Sequence, residues 1–295
     1  MVRELPPYVK LHIAVLLFGL TAIFGRLIQL PELYLVWYRM GLTTCSFLLF
    51  PAVRREVVRW PWRQSARFMG IGCIVASHWV AFFGSVKYAN VSVTLTCMAT
   101  ASFFTALMEP LIVGGRYRAR EAIFGLFVIP GVYLMFRFTR EDAYTTGIML
   151  GLLAAFLAAL FGSLNKRYIQ QHHATAVSFL ELGSGWIFLS VLAPWYAQST
   201  SASFLPAPED WIWLVVLAFL CTTLAYVYTM QALRHLSAFI VALTINLEPV
   251  YGIGLAFWLF DENERLPGGF FIGTALILLA VFIYPVSGKV FQKKK

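Results

Sequence analysis

Five ionisable side chains lie inside long apolar stretches of the sequence: Arg39, His78, Glu109, Glu181 and Glu248. A charge at the centre of a bilayer costs at least about 2.5–3.5 kcal/mol on insertion scales, so each such residue is a candidate for function. A carboxylate at that depth can hold an ammonium group or a proton, and the planar guanidinium of arginine can bind a carboxylate. An imidazole can donate, accept and change its protonation near physiological pH. These residue types favour the binding of a small charged molecule.

Glu248 is the first candidate, because it lies near the midpoint of its apolar stretch and directly precedes Pro249. The proline removes a backbone hydrogen bond and can kink a helix, which frees a carbonyl near the bilayer midplane. The alternative for Glu248 is a permanent ion pair with Arg39. Arg39 itself could bind a ligand carboxylate, or it could snorkel or pair with carbonyls at a helix end.

The other three ionisable residues also have structural interpretations. His78 lies near the middle of its stretch and is expected either to line a cavity or to pack with one satisfied hydrogen bond. Glu109 and Glu181 lie closer to the ends of their stretches, so the sequence predicts solvated or loop-paired carboxylates there.

Further residues at interior depth complete the predicted binding site. Ser102 could equally serve interhelical packing, which is a common role of serine in membrane helices. The predicted substrate-binding residues are Arg39, His78, Trp79, Ser102, Trp186, Tyr228, Asn246 and Glu248.

The composition indicates which elements must position these side chains. Of 295 residues, 60% are apolar and 13% are charged, whereas soluble proteins have about 45–50% apolar and about 25% charged residues. A soluble fold could not cover so much apolar surface, which excludes a cytosolic enzyme, a disordered chain and a nucleic-acid-binding domain. The apolar runs are long and lack the alternation of a transmembrane barrel. The predicted fold class is therefore an all-α integral membrane protein.

Ten apolar stretches are long enough to cross a hydrocarbon core about 30 Å thick. The predicted transmembrane helices are Leu11–Leu27, Leu33–Phe50, Phe68–Val86, Val91–Val113, Ala122–Phe136, Thr146–Leu164, Thr175–Ala197, Trp211–Leu233, Ala238–Phe260 and Gly269–Val286.

The net charge of +9 indicates how the protein is oriented in the membrane. Cytoplasmic loops collect Lys and Arg. With the N-terminus in the cytoplasm, 17 of the 23 basic residues fall on the cytoplasmic side and 5 on the other, while Arg39 lies within the second span. The sequence thus predicts a multi-pass protein of the cytoplasmic (inner) membrane with both termini in the cytoplasm, a lipid bilayer as its surroundings and no nucleic-acid partner.

The predicted helices divide into two halves of five, residues 1–145 and 146–295. An odd number of spans in each half means that related halves lie inverted in the membrane. An offset of 147 residues aligns Lys87 with Arg234, Ser102 with Pro249, and Gly114-Gly115 with Asp261-Glu262, although almost no residues are identical.

Motifs for catalysis or cofactors are missing from the sequence. It contains no G-x-x-x-x-G-K-[ST] phosphate loop, no H-E-x-x-H and no G-x-S-x-G. The four cysteines fall inside predicted spans, with spacing that fits neither a zinc site nor a disulfide framework. The expectation is a protein that is not an enzyme, with no catalytic residues, no cofactor and no metal.

Four segments resemble a known family. They are Trp37-Tyr38-Arg39-Met40-Gly41, Val86-Lys87-Tyr88-Ala89-Asn90, Leu247-Glu248-Pro249-Val250-Tyr251 and Asp261-Glu262. They are similar to an arginine in the second helix, an aromatic–alanine pair before the fourth, and a mid-helix proline with an acidic exit, as found in the EamA-type exporters of the drug/metabolite transporter superfamily. The resemblance covers essentially the whole chain. The first half departs from the pattern, because Ser102 stands where the proline would fall and Gly115 where the acidic residue would.

The resemblance implies ten helices in two inverted five-helix EamA-like repeats around a central cavity. It also implies secondary transport of a small metabolite by alternating access, as an efflux system, with amino acids or similar amphipathic compounds as expected substrates. Exporters of aromatic amino acids are the members most similar in overall plan. A proton is a candidate coupling ion, and Glu248 is its candidate carrier.

Two alternatives of different kinds stay open. A transporter of the same fold could carry a drug, a quaternary ammonium compound or a nucleotide sugar, although a sugar nucleotide would require more basic residues near the midplane than Arg39 alone. The alternative of another class is a membrane-embedded enzyme that modifies lipids. The basic loop over Arg54–Arg67 offers such an enzyme charge, but neither a nucleophile nor metal ligands.

Overall fold

The protein is described by a computed structural model that covers residues 5–48, 53, 56–57, 60–115, 117, 130–131, 133–134, 142–276 and 278–279. Within these ranges the regular structure is helical, without strands. The helices are α1 (Pro7–Leu27), α2 (Glu32–Leu48), α3 (Trp62–Tyr88), α4 (Val91–Met98), α5 (Ala101–Ile112), α6 (Asp142–Tyr168), α7 (Ala174–Ser199), α8 (Asp210–Ala218), α9 (Ala225–His235), α10 (Ala238–Ile245), α11 (Glu248–Phe260) and α12 (Glu262–Arg265). A 3₁₀ turn (Ile169–Gln171) follows α6, and a π-helical turn (Phe219–Leu224) joins α8 to α9.

Seven helical segments of the described chain are long and apolar enough to cross a membrane. They match seven of the predicted spans and run over Pro7–Leu27, Trp62–Tyr88, Val91–Ile112, Tyr144–Tyr168, Ala174–Ser199, Asp210–His235 and Ala238–Phe260. The second predicted span corresponds to α2, which has 17 residues. Most of the fifth prediction, Ala122–Phe136, and the end of the tenth, Gly269–Val286, lie outside the described residues. The all-helical membrane class is confirmed, and the count of ten stays a prediction.

Most helices pack around a large apolar core, and a smaller buried apolar cluster includes Val93, Cys97, Ile148 and Phe270. α3 packs against α6 and α7, α2 packs against α7, and α1 packs against α9 and α11. The remaining space is filled by two membrane-crossing segments that are each broken in the middle. α4 and α5 form the first segment, and α10 and α11 form the second.

The two broken segments repeat each other at an offset of 147 residues, the offset found in the sequence. α4 begins at Val91 and α10 at Ala238, while α5 begins at Ala101 and α11 at Glu248. The interruptions fall at the same offset, since Ala99 ends α4 and Asn246 ends α10.

The ends of the two segments agree with this register. The side chain of Asn90 caps α4 by accepting from the Val93 N–H at 2.8 Å, and Ser237, 147 residues later, caps α10 in the same way. Beyond the far ends of the segments, Gly114 and Asp261 adopt positive φ values of 93° and 52°. The hydropathy alignment thus corresponds to a structural repeat in this part of the chain.

Only one of the two breaks could be predicted. Pro249 lies in the first turn of α11, where its missing N–H removes no intrahelical hydrogen bond. The interruption therefore occurs just before the proline, as the sequence suggested. The break between α4 and α5 has no proline beside it, since Ser102 occupies the equivalent position.

The two broken segments run antiparallel, because α11 packs on α4 and α10 packs on α5. At one end of the pair, the carboxylate of Glu262 accepts hydrogen bonds from the backbone N–H groups of Val91 (3.1 Å) and Ser92 (2.9 Å). It also accepts from the Ser92 hydroxyl at 2.6 Å. The first N–H groups of a helix have no intrahelical partner, and the helix dipole favours an anion there. We call this contact the Glu262 clamp.

The opposite end of the pair has a matching contact. The carboxylate of Glu109, near the end of α5, accepts from the backbone N–H groups of Ala238 (3.0 Å) and Phe239 (2.7 Å) at the start of α10. We call this contact the Glu109 clamp. It agrees with the expectation of a paired carboxylate at Glu109. In the first half, Gly115 stands at the position equivalent to Glu262, and the Glu109 carboxylate provides the corresponding contact instead.

α3 and α7 approach each other closely at Gly72. A Cβ atom on Gly72 would lie 2.2 Å from the Glu181 carbonyl oxygen and 2.2 Å from Ser184 Oγ. The Ser184 hydroxyl in turn donates to the Met69 carbonyl at 3.1 Å. Small residues that let backbones meet are the usual means of packing membrane helices.

We expect Gly72→Ala to destabilise the protein by about 1–3 kcal/mol, because the added methyl group overpacks a contact with backbone. The measurement is the midpoint of thermal unfolding in detergent. Gly70→Ala is the matched control on the same helix, since a Cβ there meets nothing within 4 Å. Equal midpoints for the two variants would contradict the α3–α7 contact.

Candidate functional site

A cavity of about 120 Å³ lies between the helices. Both helix breaks border it, with Met98 and Ala101 flanking the first and Ile245 and Glu248 flanking the second. Its described lining is mainly apolar and rich in aromatic rings. In membrane transporters, interrupted helices near the midplane commonly form the substrate site, so this position in the fold is a strong candidate.

Four of the eight predicted site residues line this cavity: Arg39, His78, Trp79 and Glu248. They come from α2, α3 and α11, which are far apart in the sequence. Three of them are ionisable, and all four are at least nine-tenths buried.

Arg39 is held from two sides, with only 2% of its surface exposed. Its Nε donates to Thr222 Oγ1 at 2.6 Å. The guanidinium carbon lies 3.9 Å from the centroid of the Trp79 ring and 5.5 Å from that of Phe83. No described residue accepts a hydrogen bond from its two terminal nitrogens. Arg39 therefore does not snorkel, and the fork of its guanidinium is left for a ligand.

The acceptor for Arg39 depends on the π-helical turn over Phe219–Leu224. In the widened turn, the Thr222 hydroxyl donates to the Leu217 carbonyl at 2.6 Å and the Thr223 hydroxyl donates to the Ala218 carbonyl at 3.0 Å, each five residues back. The Thr222 oxygen can then also accept from Arg39. Single π turns of this kind are frequently found at functional sites.

Glu248 faces Arg39 across the cavity. The two groups interact electrostatically, but among the described residues no ion pair within 4.0 Å joins them. The alternative of a permanent Arg39–Glu248 pair is therefore not what the structure shows. Glu248 is the first residue of α11, where the helix dipole favours its negative charge.

One ring nitrogen of His78 is hydrogen-bonded to the backbone. Its Nδ1 lies 2.8 Å from the Ala154 carbonyl oxygen. A carbonyl only accepts, so Nδ1 carries the hydrogen and Nε2 of the neutral ring is an acceptor. The ring packs beside Phe82 and Phe161 in the cavity wall. His78 thus combines the two interpretations, a satisfied packing residue that also lines the cavity.

The other four predicted residues are placed differently. Asn246 Nδ2 donates to Ser102 Oγ at 2.8 Å, which ties the two helix breaks to each other. Trp186 packs against Trp37 and stands close to Gly41. Neither Trp186 nor Tyr228 is part of the described cavity lining. A direct role of these four in binding stays a prediction.

Sequence reasoning missed Tyr226 and misjudged Glu181. Tyr226 lines the cavity, 3% exposed, and its ring meets Trp79 edge-on at 6.1 Å between centroids. Glu181 was expected to be solvated or loop-paired, but it is fully buried and accepts a hydrogen bond from the Tyr226 hydroxyl. The expectation was wrong because α2, α3 and α9 pack against α7 and Asn165 of α6 reaches Glu181.

Comparison with protein families agrees with this arrangement. A model of the EamA-like transporter family matches the chain twice, over residues 6–137 and 145–284. The chain belongs to the EamA-like transporter family. It is thus a multi-pass membrane protein from a family of transporters.

A solved structure shares the fold of this EamA-like chain. The structure, described as "Crystal structure of protein", has 15% sequence identity and a TM-score of 0.67, and the match covers 97% of this chain and 98% of that chain. At this identity the likeness concerns the fold alone. A comparison with curated proteins gives no significant match.

The cavity of this EamA-like protein combines two side chains of opposite charge with an apolar lining. Arg39 offers two donor nitrogens, and Glu248 offers a carboxylate to which none of the described residues donates a hydrogen bond. Phe82 and Phe161 supply apolar surface to the same cavity.

We expect a cysteine at position 105 to be reached from water and a cysteine at position 96 not to be. Both threonines are buried and each donates its hydroxyl to a backbone carbonyl, but Thr105 lines the cavity and Thr96 does not. In a background without the native cysteines, Thr105→Cys should react with a small water-soluble thiol reagent while Thr96→Cys does not, because thiol chemistry requires access to the thiolate. Equal labelling of both positions would contradict a water-accessible cavity.

Proposed function

We propose that this protein is a secondary transporter that exports an amino acid or a similar amphipathic compound across the cytoplasmic membrane by alternating access. The observation that carries the proposal is the presence of Arg39 and Glu248 in one apolar cavity at the helix breaks, with no ion pair between them among the described residues.

In this proposal Arg39 binds the substrate carboxylate. Its Nε is occupied by Thr222, so the two terminal nitrogens form the bidentate donor pair that matches a carboxylate. Glu248 then holds the ammonium group of the substrate. A zwitterion leaves both buried charges paired, whereas a simple cation would leave Arg39 without a partner. This difference favours an amino acid over a quaternary ammonium compound.

The apolar part of the substrate lies against aromatic rings. Phe18, Phe82 and Phe161 line the cavity together with Trp79 and Tyr226. Aromatic side chains provide large apolar contact areas, and offset or edge-on ring pairs add about 0.5–1.5 kcal/mol each. An aromatic or large aliphatic amino acid is the substrate class that this lining favours.

The transport cycle in this proposal uses two inverted halves, residues 1–145 and 146–295. With both termini in the cytoplasm, the Glu109 clamp lies on the cytoplasmic side and the Glu262 clamp on the outer side. Each clamp joins the end of one broken segment to the start of the other. Opening one clamp at a time would expose the cavity to one side and then to the other.

The first test is counterflow of radiolabelled L-phenylalanine into proteoliposomes loaded with the unlabelled compound. We expect the wild type to transport it. Arg39→Gln and Glu248→Gln should each raise the half-saturating concentration about 10- to 150-fold, because each loses a charged hydrogen-bond partner worth about 1.5–3 kcal/mol.

Competitors separate the two roles in that assay. Phenylalaninamide lacks the carboxylate and N-acetylphenylalanine lacks the ammonium group. Phenylalaninamide should compete only weakly for the wild type, and its inhibition constant should not rise further in Arg39→Gln. N-acetylphenylalanine should likewise compete weakly for the wild type, and its inhibition constant should not rise further in Glu248→Gln. Absence of counterflow, or stronger inhibition by a quaternary ammonium compound than by any zwitterion, would contradict the proposal.

The second test concerns the clamps and uses Thr105→Cys as reporter. Glu262→Gln loses a charge-assisted contact worth about 1.5–3 kcal/mol, so labelling by an impermeant reagent outside intact cells should become faster. Glu109→Gln should instead speed labelling from the cytoplasmic face, measured in inside-out vesicles. Acceleration on the same side for both variants would exclude the assignment of one clamp to each face.

A further inference from the structure

A second buried carboxylate lies beside the cavity, outside the site described so far. Glu181 is 0% exposed. Its Oε2 accepts from the Tyr226 hydroxyl at 2.5 Å and from Asn165 Nδ2 at 3.2 Å. Its Oε1 is buried as well and has no hydrogen-bond partner among the described residues.

The surroundings of Glu181 contain no compensating charge in the described part of the chain. From α6 it meets Asn165 and from α9 it meets Tyr226, both neutral. α3 approaches its backbone through Gly72, and α2 reaches the adjacent Gly183 through Thr44. A fully buried carboxylate without a cation is strongly disfavoured in its ionised form. Glu248 differs, because it faces Arg39.

The hydrogen bonds around Glu181 leave room for one proton. Oε1 of Glu181 and Oδ1 of Asn165 are both buried acceptors without a donor. The two side chains are already joined through their other polar atoms. A proton on Oε1 would turn that atom from an unpaired acceptor into a donor, with the Asn165 oxygen as a neighbouring acceptor.

Tyr226 connects this carboxyl group to the cavity. The same side chain lines the cavity and donates to Glu181. Its ring contacts Trp79, which in turn covers the guanidinium of Arg39. While Glu181 is ionised, the Tyr226 hydroxyl is held on it. When Glu181 is protonated, that bond weakens and the hydroxyl can turn towards a ligand.

We propose that Glu181 is the proton-binding site of this transporter and that Tyr226 couples its protonation to the substrate cavity. The inference rests on the proposed function and assigns the coupling ion and its site to a residue other than Glu248. In each cycle an O–H bond forms on Oε1 with a proton from water in the cavity. It breaks again on the other side of the membrane, with the electron pair left on the carboxylate, so the step involves no redox chemistry.

The test compares two assays in the same proteoliposomes with L-phenylalanine. Counterflow at equal pH on both sides measures substrate exchange, and an imposed pH gradient measures coupling. We expect the gradient to change the initial rate of the wild type and of Glu209→Gln, a control at an exposed carboxylate. Glu181→Gln should keep counterflow and lose the response to the gradient. Tyr226→Phe, which keeps the ring, should also lose much of that response.

A direct measurement accompanies the transport assays. Infrared difference spectra of the wild type between acidic and alkaline pH should show the C=O stretch of a protonated carboxylic acid. Glu181→Gln should remove the band, and Tyr226→Phe should shift it by removing a hydrogen bond. The Tyr226→Phe shift also tests the assignment if Glu181→Gln does not fold.

The outcomes separate the inference from the proposed function. Counterflow without any effect of the gradient in the wild type would overturn the inference and leave the transporter proposal standing. A carboxylic acid band that persists in folded Glu181→Gln would also overturn it. Absence of counterflow in the wild type would contradict the proposed function itself, while the infrared band still reports whether Glu181 holds a proton.

Discussion

The guanidinium of Arg39 is a permanent positive charge inside an apolar helical bundle, and much of the surrounding structure serves to keep it there. A bilayer core supplies no water for polar groups, so every hydrogen bond must come from the protein or its ligand. The π turn provides Thr222 as an acceptor, Trp79 covers the guanidinium face, and Glu248 balances the charge from across the cavity. The two terminal nitrogens have no acceptor among the described residues, and in the proposed function they bind the substrate carboxylate.

The broken helices follow from the same constraint. Each break exposes backbone groups that a continuous helix would pair internally, and lining a cavity is the setting in which a membrane protein tolerates this. The Asn246–Ser102 hydrogen bond joins the breaks, while Glu262 and Glu109 cap the segments at opposite ends. The two segments share a register of 147 residues with almost no identical side chains. The repeat therefore lies in the positions at which the helices begin, break and end, although the side chains differ.

Hydropathy predicted the all-helical class because burial in lipid requires long apolar segments, whatever their neighbours. It also led to Arg39, His78 and Glu248, because ionisable residues are rare at interior depth, and to the neighbouring Trp79. All four line the cavity. It could not show which face of a membrane helix turns towards the cavity. Sequence reasoning therefore named Tyr228 as a site residue and missed Tyr226, which lies two residues away and about 200° around the helix. Glu181 was misjudged because distance from a helix end says nothing about the helices packed beside it.

Two buried carboxylates with different surroundings allow a division of labour. Glu248 lines the cavity opposite a cation, so part of the cost of burying its charge is offset and its carboxylate is accessible from the cavity. Glu181 has only neutral partners, so its charge is the one that a proton must remove. Arg39, Trp79 and Tyr226 lie between them: the Arg39 guanidinium carbon is 3.9 Å from the Trp79 ring centroid, the Trp79 and Tyr226 centroids are 6.1 Å apart, and the Tyr226 hydroxyl donates to Glu181. In the proposed cycle, coupling between substrate and proton requires no long pathway, since the tyrosine that donates to Glu181 also lines the cavity.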